Sequence, residues 1–541
     1  MSRGRSRTGR PGTSGSNSST RSTLLRSGNT TPSSAEPPTR GLRRTAETAD
    51  TAGQSARRRP SSPRRDPLSR RHAMTPTSPP PVLPETPFSS EDILRLTAML
   101  DGTALTPDDE EYLAACTGYN LASHRRPDLV VLTESAADVV LAVTFANDHG
   151  LPIAVVATGH HGVAPLEHGL LVNTSRMNDV EVDGPGRRAI VGAGARWNDV
   201  VPKTAQHHLT PIHGSSGHVG VVGFTLGGGL SPILGRKYGW GAHHVIALDV
   251  VTADGTLLHA DASENSELFW AIRGGRSSIG IVTGMEIELF PVSRFVGGGL
   301  FFDGAHAEAV LAAFARVTAD APDELTLSVA FLRLPPVPGI PEMLAGRFVL
   351  HVRVALIKSA EDIDLLLAPL RNAAPLLLDT VQETPSEGFE RVHNDPVDPA
   401  PFSEDTSMLT GLTSDVQQAL LEQVGPESGT GLHIVELRHI GGALARTPQT
   451  GRTISTADAA YVLWAVSIGM PHDDATGIAE THHVVEAMAG WSTGTRYLNF
   501  APEDGRPEAA FSTDDWARLR RVKTAVDPRD VFRTERPRPR S

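Results

Sequence analysis

Apolar and polar positions along this chain resolve into a sequence of elements from about residue 88 onward. Ser89-Ser90-Glu91-Asp92 reads as a capped helix start, with Ile93, Leu96 and Leu100 following at helical spacing. Leu129-Val130-Val131-Leu132 reads as a buried strand. Ser135-Ala136-Ala137-Asp138 then caps a helix that runs to about His149, where Gly150 stops it, and residues 152–158 form the next strand. This strand–helix–strand succession predicts a mixed α/β domain. Residues 245–252 and Leu257-Leu258 flank Asp254-Gly255, a hairpin turn signal. Residues 266–272 form a short helix ended by Arg273-Gly274-Gly275, and 279–289 form a strand closed off by Pro291.

From about 296 to 489 the pattern changes to strands alternating with long amphipathic helices, such as 305–317 and 359–372. That predicts a second α+β domain built on an antiparallel sheet. Residues 385–405 are rich in Pro, Asp and Glu and read as a long surface loop. Tyr497-Leu498-Asn499-Phe500 reads as a short strand, and 516–526 as a helix ended by Asp527-Pro528.

Composition narrows the class. The 541 residues, 39% of them hydrophobic, suffice for two or three domains. No apolar run reaches the ~20 residues of a membrane span, and no signal peptide is recognisable, so the expected compartment is the cytoplasm. The single cysteine, Cys116, excludes an intrachain disulfide and a cysteine-based metal site. Scattered histidine pairs share no ligand spacing, so no metal is expected. Residues 1–73 hold 16 Arg against four acidic residues, whereas the whole chain has a net charge of −12. The arm is rich in Ser, Thr, Pro, Gly and Arg and cannot bury a core, so it is expected to be disordered. A nucleic-acid or anionic-membrane role for the arm is the alternative. The Arg pairs lack a following apolar region, which rejects a twin-arginine export signal. Four lysines against 46 arginines suggest a GC-rich genome, and Met74 is then an alternative start.

The chemistry concentrates in two segments. Val155-Val156-Ala157-Thr158-Gly159-His160-His161-Gly162 is a strand that breaks into a histidine-bearing loop. Gly214-Ser215-Ser216-Gly217-His218-Val219-Gly220, with Gly223 and Gly227-Gly228-Gly229, is a glycine-rich loop whose backbone can approach a ligand. Backbone N–H groups of both suit a phosphate-bearing redox cofactor without Lys or Arg. Residues 189–197 run strand, Gly-x-Gly, helix, but Trp197 stands where a Rossmann fingerprint needs its third glycine. A strand-to-helix turn is therefore expected there.

Eight blocks in order resemble one family. They are Thr158-Gly159-His160, residues 171–177, residues 214–229, residues 268–275, residues 279–283, residues 436–444, Tyr497-Leu498-Asn499-Phe500, and residues 519–532. Together, over about 88–535, the chain resembles the berberine-bridge-enzyme and oligosaccharide-oxidase group, with its vanillyl-alcohol-oxidase type FAD fold. The resemblance implies an α+β fold with a two-part FAD-binding domain at 88–295 and a substrate domain at 296–490. A C-terminal segment, 491–541, would return to the FAD domain, and an arm, 1–87, would precede it all.

The resemblance also implies FAD bonded covalently through His160, with His161 the rival. Family members often add a cysteine link where Ser216 stands here, and serine cannot form that thioether, so a single link is expected. Thr158, Gly159, Gly162, Gly214, Ser215, Val219, Gly220, Gly223, Gly228, Gly229, Ile279, Val282 and Asn499 are the further cofactor-binding candidates. Val219 occupies the position that gates oxygen in the family, and its small side chain implies an oxidase.

The implied reaction is hydride removal from an alcohol or C–H centre of a sugar or secondary metabolite, with O2 as acceptor. Tyr497 is the candidate base, needing a lowered pKa, or else a packing tyrosine beside the flavin. Glu436 and Arg438 are either a pair facing the substrate or a structural ion pair. A flavin dehydrogenase and an inactive flavin-binding protein, the latter suggested by Arg276-Ser277-Ser278, are the alternatives. The partners expected are a small-molecule substrate and O2; the oligomeric state is open.

Overall fold

A computed structural model describes residues 87–160, 166–358, 360–446, 454, 458–469, 475–502 and 506–532. Three sheets organise them. In the first, the strands run in the order Thr103–Leu105, Leu129–Leu132, Leu170–Asn173, Ile153–Val156, and the last three are mutually parallel. The apolar run at 129–132 follows from burial on both faces. Leu129 and Val131 pack on helix Ala136–Asp148, whereas Val130 and Leu132 pack on helix Tyr112–Cys116.

The second sheet is antiparallel, in the order Val180–Asp183, Arg188–Gly192, Ile281–Phe290, Val245–Val251, Leu257–Asp261. Helix Trp197–Ala205 follows Gly194-Ala195-Arg196 as a plain strand-to-helix turn. The third sheet has eight antiparallel strands, centred on Phe348–Leu356, Leu325–Arg333, Ile434–His439, Tyr461–Ile468 and Phe402–Leu409. Helices Ala307–Ala319, Ile363–Arg371 and Ser414–Val424 cover one face of it. Val435, Leu437, Leu463 and Ala465 point into that core with Leu311, Leu367 and Leu420. The period-two alternation of the strands turns Ile434, Arg438, Trp464 and Val466 to the other face.

The chain's later part folds back on its earlier part. Helix Thr513–Val526 lies against helix Ser266–Gly275, with the Arg518 guanidinium 3.9 Å from the Trp270 ring centroid. Beyond it, Phe532 pairs with Ile153, and the Ile153 N–H donates to the Val531 carbonyl at 2.8 Å. Asp527 fixes this return by accepting from Val531 N, Phe532 N and Lys523 Nζ.

Three sequence expectations need correction. Residues 385–405 are not a surface loop: Ser386–Val392 is a 3-10 turn that buries Phe389 and Val392, each 1% exposed, and Phe402–Leu409 is a sheet strand. Phe389 and Val392, three apart, share one face of that turn, and the average composition of the segment hides them. Tyr497–Phe500 is likewise not a strand, since Leu498–Phe500 is a 3-10 turn. The helix expected from 305 starts at Ala307, because Asp303 caps a preceding 3-10 turn by accepting from Ala305 N. Among the described residues no helix is long and apolar enough to cross a membrane.

The sheet–helix core predicts its own sensitivity. Leu437→Ala, at a fully buried position, is expected to destabilise the protein by about 2–5 kcal/mol. A urea unfolding curve followed by circular dichroism measures the shift.

Candidate active site

A cavity of about 1460 Å³ lies between the sheets, lined by separate segments between Tyr119 and Phe532. His160 is in its wall, at the end of strand Ile153–Val156. The loop carrying it is held by a short ladder in which Tyr119 N donates to Thr158 O at 2.9 Å and Asn120 N to Gly159 O at 3.0 Å. That approach requires glycine on both sides. A Cβ on Gly159, whose φ is +63°, would lie 2.6 Å from Gly118 Cα. The Tyr119 ring stacks on the imidazole of His160 at 4.0 Å and 6°. Thr158 Oγ1 sits 3.1 Å from His160 Nδ1 and accepts from Gly220 N at 3.3 Å. Among the described residues, His160 Nε2 is buried without a hydrogen-bond partner. Burial, then repulsion from Arg196 and His218, pushes the His160 pKa down to about 3, so the ring is neutral at physiological pH.

The glycine-rich segment supplies the facing wall through Gly214, Ser215, Ser216, Val219, Gly220 and Gly223. It is not all loop, since residues Val221–Leu226 form a helical turn and a half. Gly228 and Gly229 stand behind the wall, contrary to their expected role as donors to a phosphate. The Gly228 N–H is already spent on Thr225 O, at 3.1 Å. Gly228 is needed for room: a Cβ there would lie 3.0 Å from the Tyr497 ring, and one on Gly229 would lie 2.9 Å from Gly241 Cα. Ile279 and Val282 line the cavity with Gly274, Gly275 and Arg276. His161 and Gly162 lie outside the described residues.

Tyr497 and Asn499 meet through the 3-10 turn and not through strand alternation. The Tyr497 hydroxyl accepts from Leu230 N at 2.9 Å and from Asn499 Nδ2 at 3.0 Å. Asn499 Nδ2 also donates to Phe224 O, and its Oδ1 accepts from Arg276. Burial raises the Tyr497 pKa above its ordinary value, and these two donors, with Arg438 and Arg276, offset only part of that rise. The lowered value expected for a base is therefore absent in the protein by itself.

Arg438 lines the cavity, and Glu436 lies beneath it, fully buried and outside the wall. Glu436 Oε2 accepts from Arg438 Nε at 3.0 Å, and Oε1 is 2.7 Å from Arg353 Nη1. The two guanidinium groups hold its carboxyl well below the usual carboxylate range despite burial. The pair is therefore an ion pair that presents only its cation to the cavity.

Two models of known families match the chain: FAD binding domain over residues 127–261, and berberine and berberine like over 496–537. In these two segments the chain is similar to the berberine-bridge-enzyme-like FAD-linked oxidoreductases. The (R)-6-hydroxynicotine oxidase of Paenarthrobacter nicotinovorans is 32% identical over 228 residues, 42% of this chain and 49% of that protein. In that alignment the chain spans about half the length of the curated relative it matches. YgaK, an uncharacterized FAD-linked oxidoreductase of Bacillus subtilis, is 26% identical over 81% of this chain and 96% of its own length. The crystal structure of 6-hydroxy-D-nicotine oxidase from Arthrobacter nicotinovorans shares the fold, with TM-score 0.70 and 22% identity over 81% of this chain and 97% of that one. The fold is that of the vanillyl-alcohol-oxidase type FAD proteins.

The residues that line the cavity fit the dinucleotide. The cavity exceeds the ~300–1,000 Å³ typical of a drug-sized ligand. Bare glycine backbone at 159, 214, 220, 274 and 275 lines it, and His160 brings an unpartnered ring nitrogen.

Several cavity residues escape sequence reasoning. Tyr119, Glu404 and Trp464 sit in no motif, and only the fold gathers them. A tyrosine inside Thr117-Gly118-Tyr119-Asn120 and the single Trp of the apolar run 461–466 were the available signals.

Buried neutral histidines predict acid sensitivity. His213 beside Gly214 is fully buried and pushed down to about 4 by desolvation. Its folded pKa lies below its unfolded value, so the stability it contributes is full above about pH 6.5 and is lost as pH falls towards 4. His213→Gln is expected to lower the dependence of unfolding free energy on pH by about 1.4 kcal/mol per unit in that window. Urea titrations at pH 7, 6, 5 and 4.5 measure the slope.

Proposed function

We propose that the chain is an FAD-dependent oxidase that removes a hydride from an alcohol or C–H centre of a small metabolite and passes the electrons to O2. In this reading 88–295 is the FAD-binding domain, 296–490 the substrate domain, and 491–541 the segment that returns to the former. FAD is bonded through His160 alone, because Ser216 offers no thiol. The observation that carries the reading is the His160 ring, neutral, clamped between Tyr119 and Thr158, with Nε2 buried and unpartnered in the cavity wall. When Nδ1–H donates to Thr158 Oγ1, the Nε2 lone pair is free to bond carbon.

FAD, when bound, supplies the two-electron acceptor for C–H oxidation. The chain's own residues supply position and proton handling. Tyr497 receives two N–H donors on its oxygen, which leaves its own O–H free to meet a substrate hydroxyl and favours the phenolate once the proton leaves. Arg438 places a positive charge on the same cavity, and Glu436 fixes its direction. Val219, in the wall, supports the oxidase reading over the dehydrogenase one by its small size.

Acid precipitation tests the covalent bond. Wild type is expected to keep its yellow colour in the pellet, and His160→Ala is expected to release it. Wild-type colour in the supernatant would sink the covalent reading, and slow air reoxidation after substrate reduction would favour a dehydrogenase.

Tyr497→Phe is expected to keep its flavin and lose about 10²-fold in turnover. Because the Tyr497 pKa is raised, the wild-type rate should climb with pH on the alkaline side, and the variant should lose that climb. Stopped-flow flavin reduction from pH 7 to 10.5 measures both.

A further inference from the structure

We propose that the sheet-side half of the cavity takes a flat aromatic substrate and not a sugar, an inference that rests on the flavin-oxidoreductase reading above. Three neighbouring strands form this wall, and their registers set its chemistry. Phe402 pairs with Ile468, and Val466 lies between Glu404 on one side and Ile434 on the other. Phe402, Ile434, Val466 and Ile468 all line the cavity, so its floor is a continuous apolar patch.

Beside the patch stand Trp464 and Phe500, stacked with centroids 4.5 Å apart and planes at 18°. Among the described residues the three strands bring two charged groups to this wall: Glu404 is turned to a partner within it, and Arg438 keeps its Nε on Glu436 while the rest of its cation faces the edge of the cavity. Glu404 Oε2 accepts the indole N–H of Trp464 at 2.8 Å. Arg438 donates Nε to Glu436, and its guanidinium lies 4.8 Å from the Phe500 centroid and 5.5 Å from that of Trp464.

A sugar ring carries a hydroxyl on nearly every carbon, and each one buried without a partner weakens binding roughly ten-fold or more. This floor offers those hydroxyls aliphatic and aromatic carbon. A planar arene gains on the same surface, through area removed from water and through offset stacking on the Trp464–Phe500 pair. One polar substituent then suffices to meet Tyr497 or Arg438 at the edge of the patch.

The test uses the full-length holoprotein under anaerobic conditions, once its flavin spectrum and bleaching by dithionite are established. 2-Naphthalenemethanol, cellobiose and xylobiose are titrated in turn while the flavin bands are followed. The aromatic alcohol is expected to perturb or bleach the flavin at a half-saturating concentration at least ten-fold below either disaccharide. Trp464→Ala is expected to raise that concentration at least ten-fold, and Trp464→Phe, which keeps a stacking face, to restore most of the loss. A disaccharide acting at the lower concentration, an aromatic alcohol without effect up to its solubility, or unchanged aromatic affinity in Trp464→Ala would each overturn the inference while the flavin reading stands. A preparation that takes up no flavin would overturn both.

Discussion

Two stretches of backbone touch at Gly118 and Gly159, and the arrangement of the cavity follows from that contact. With no Cβ on either residue, the segment carrying Tyr119 and Asn120 lies close enough to form main-chain hydrogen bonds with Thr158 and Gly159. This puts the Tyr119 ring flat on His160. It also extends outward, because Ala400 N donates to Tyr119 O, Leu121 N donates to Ala400 O, and the Tyr119 hydroxyl donates to Pro396 O at 2.6 Å. Asn120 adds a two-way bond to the main chain of Phe402. The histidine loop and the edge of the eight-stranded sheet are thereby tied through a single short clip. Side chains at either glycine would push apart both walls of the cavity at once.

The second constraint is electrostatic. Glu436 is a fully buried carboxylate between two guanidinium groups, a state that is costly to reach by desolvation and costly to break by removing one member. Its effect is directional. Arg353 anchors it from below, so Arg438 is held by its Nε while the rest of its guanidinium lies over aromatic faces at the cavity. One anion shared by two cations leaves the charge of Arg438 acting on the buried Tyr497 hydroxyl, whose pKa it draws down against the effect of burial.

Local signals in the sequence carried much of the fold. The apolar run at 129–132, the serine caps at 89 and 135, and the Asp254-Gly255 hairpin each appear where main-chain physics puts them. The segment at 385–405 misled because its charged residues outnumber the two apolar ones, Phe389 and Val392, that decide its burial. Tyr497–Phe500 misled because a tertiary bond, Asn499 to the Phe224 carbonyl, selects a turn over a strand. Gly228 misled because the identity of a glycine does not say which neighbour needs the space. Trp464 and Glu404 are 60 residues apart and Tyr119 is far from both, so no local pattern joins them.

Residues as distant as Tyr119 and Asp530 border the same cavity, and Val531 and Phe532 complete the strand that feeds His160. During synthesis from the N-terminus, the histidine loop is therefore made some 370 residues before its last structural neighbours leave the ribosome. A nascent chain holds the glycine loops long before it holds helix Thr513–Val526. Enclosure of the cavity thus waits on that helix, whose Leu519, Arg520 and Lys523 line it.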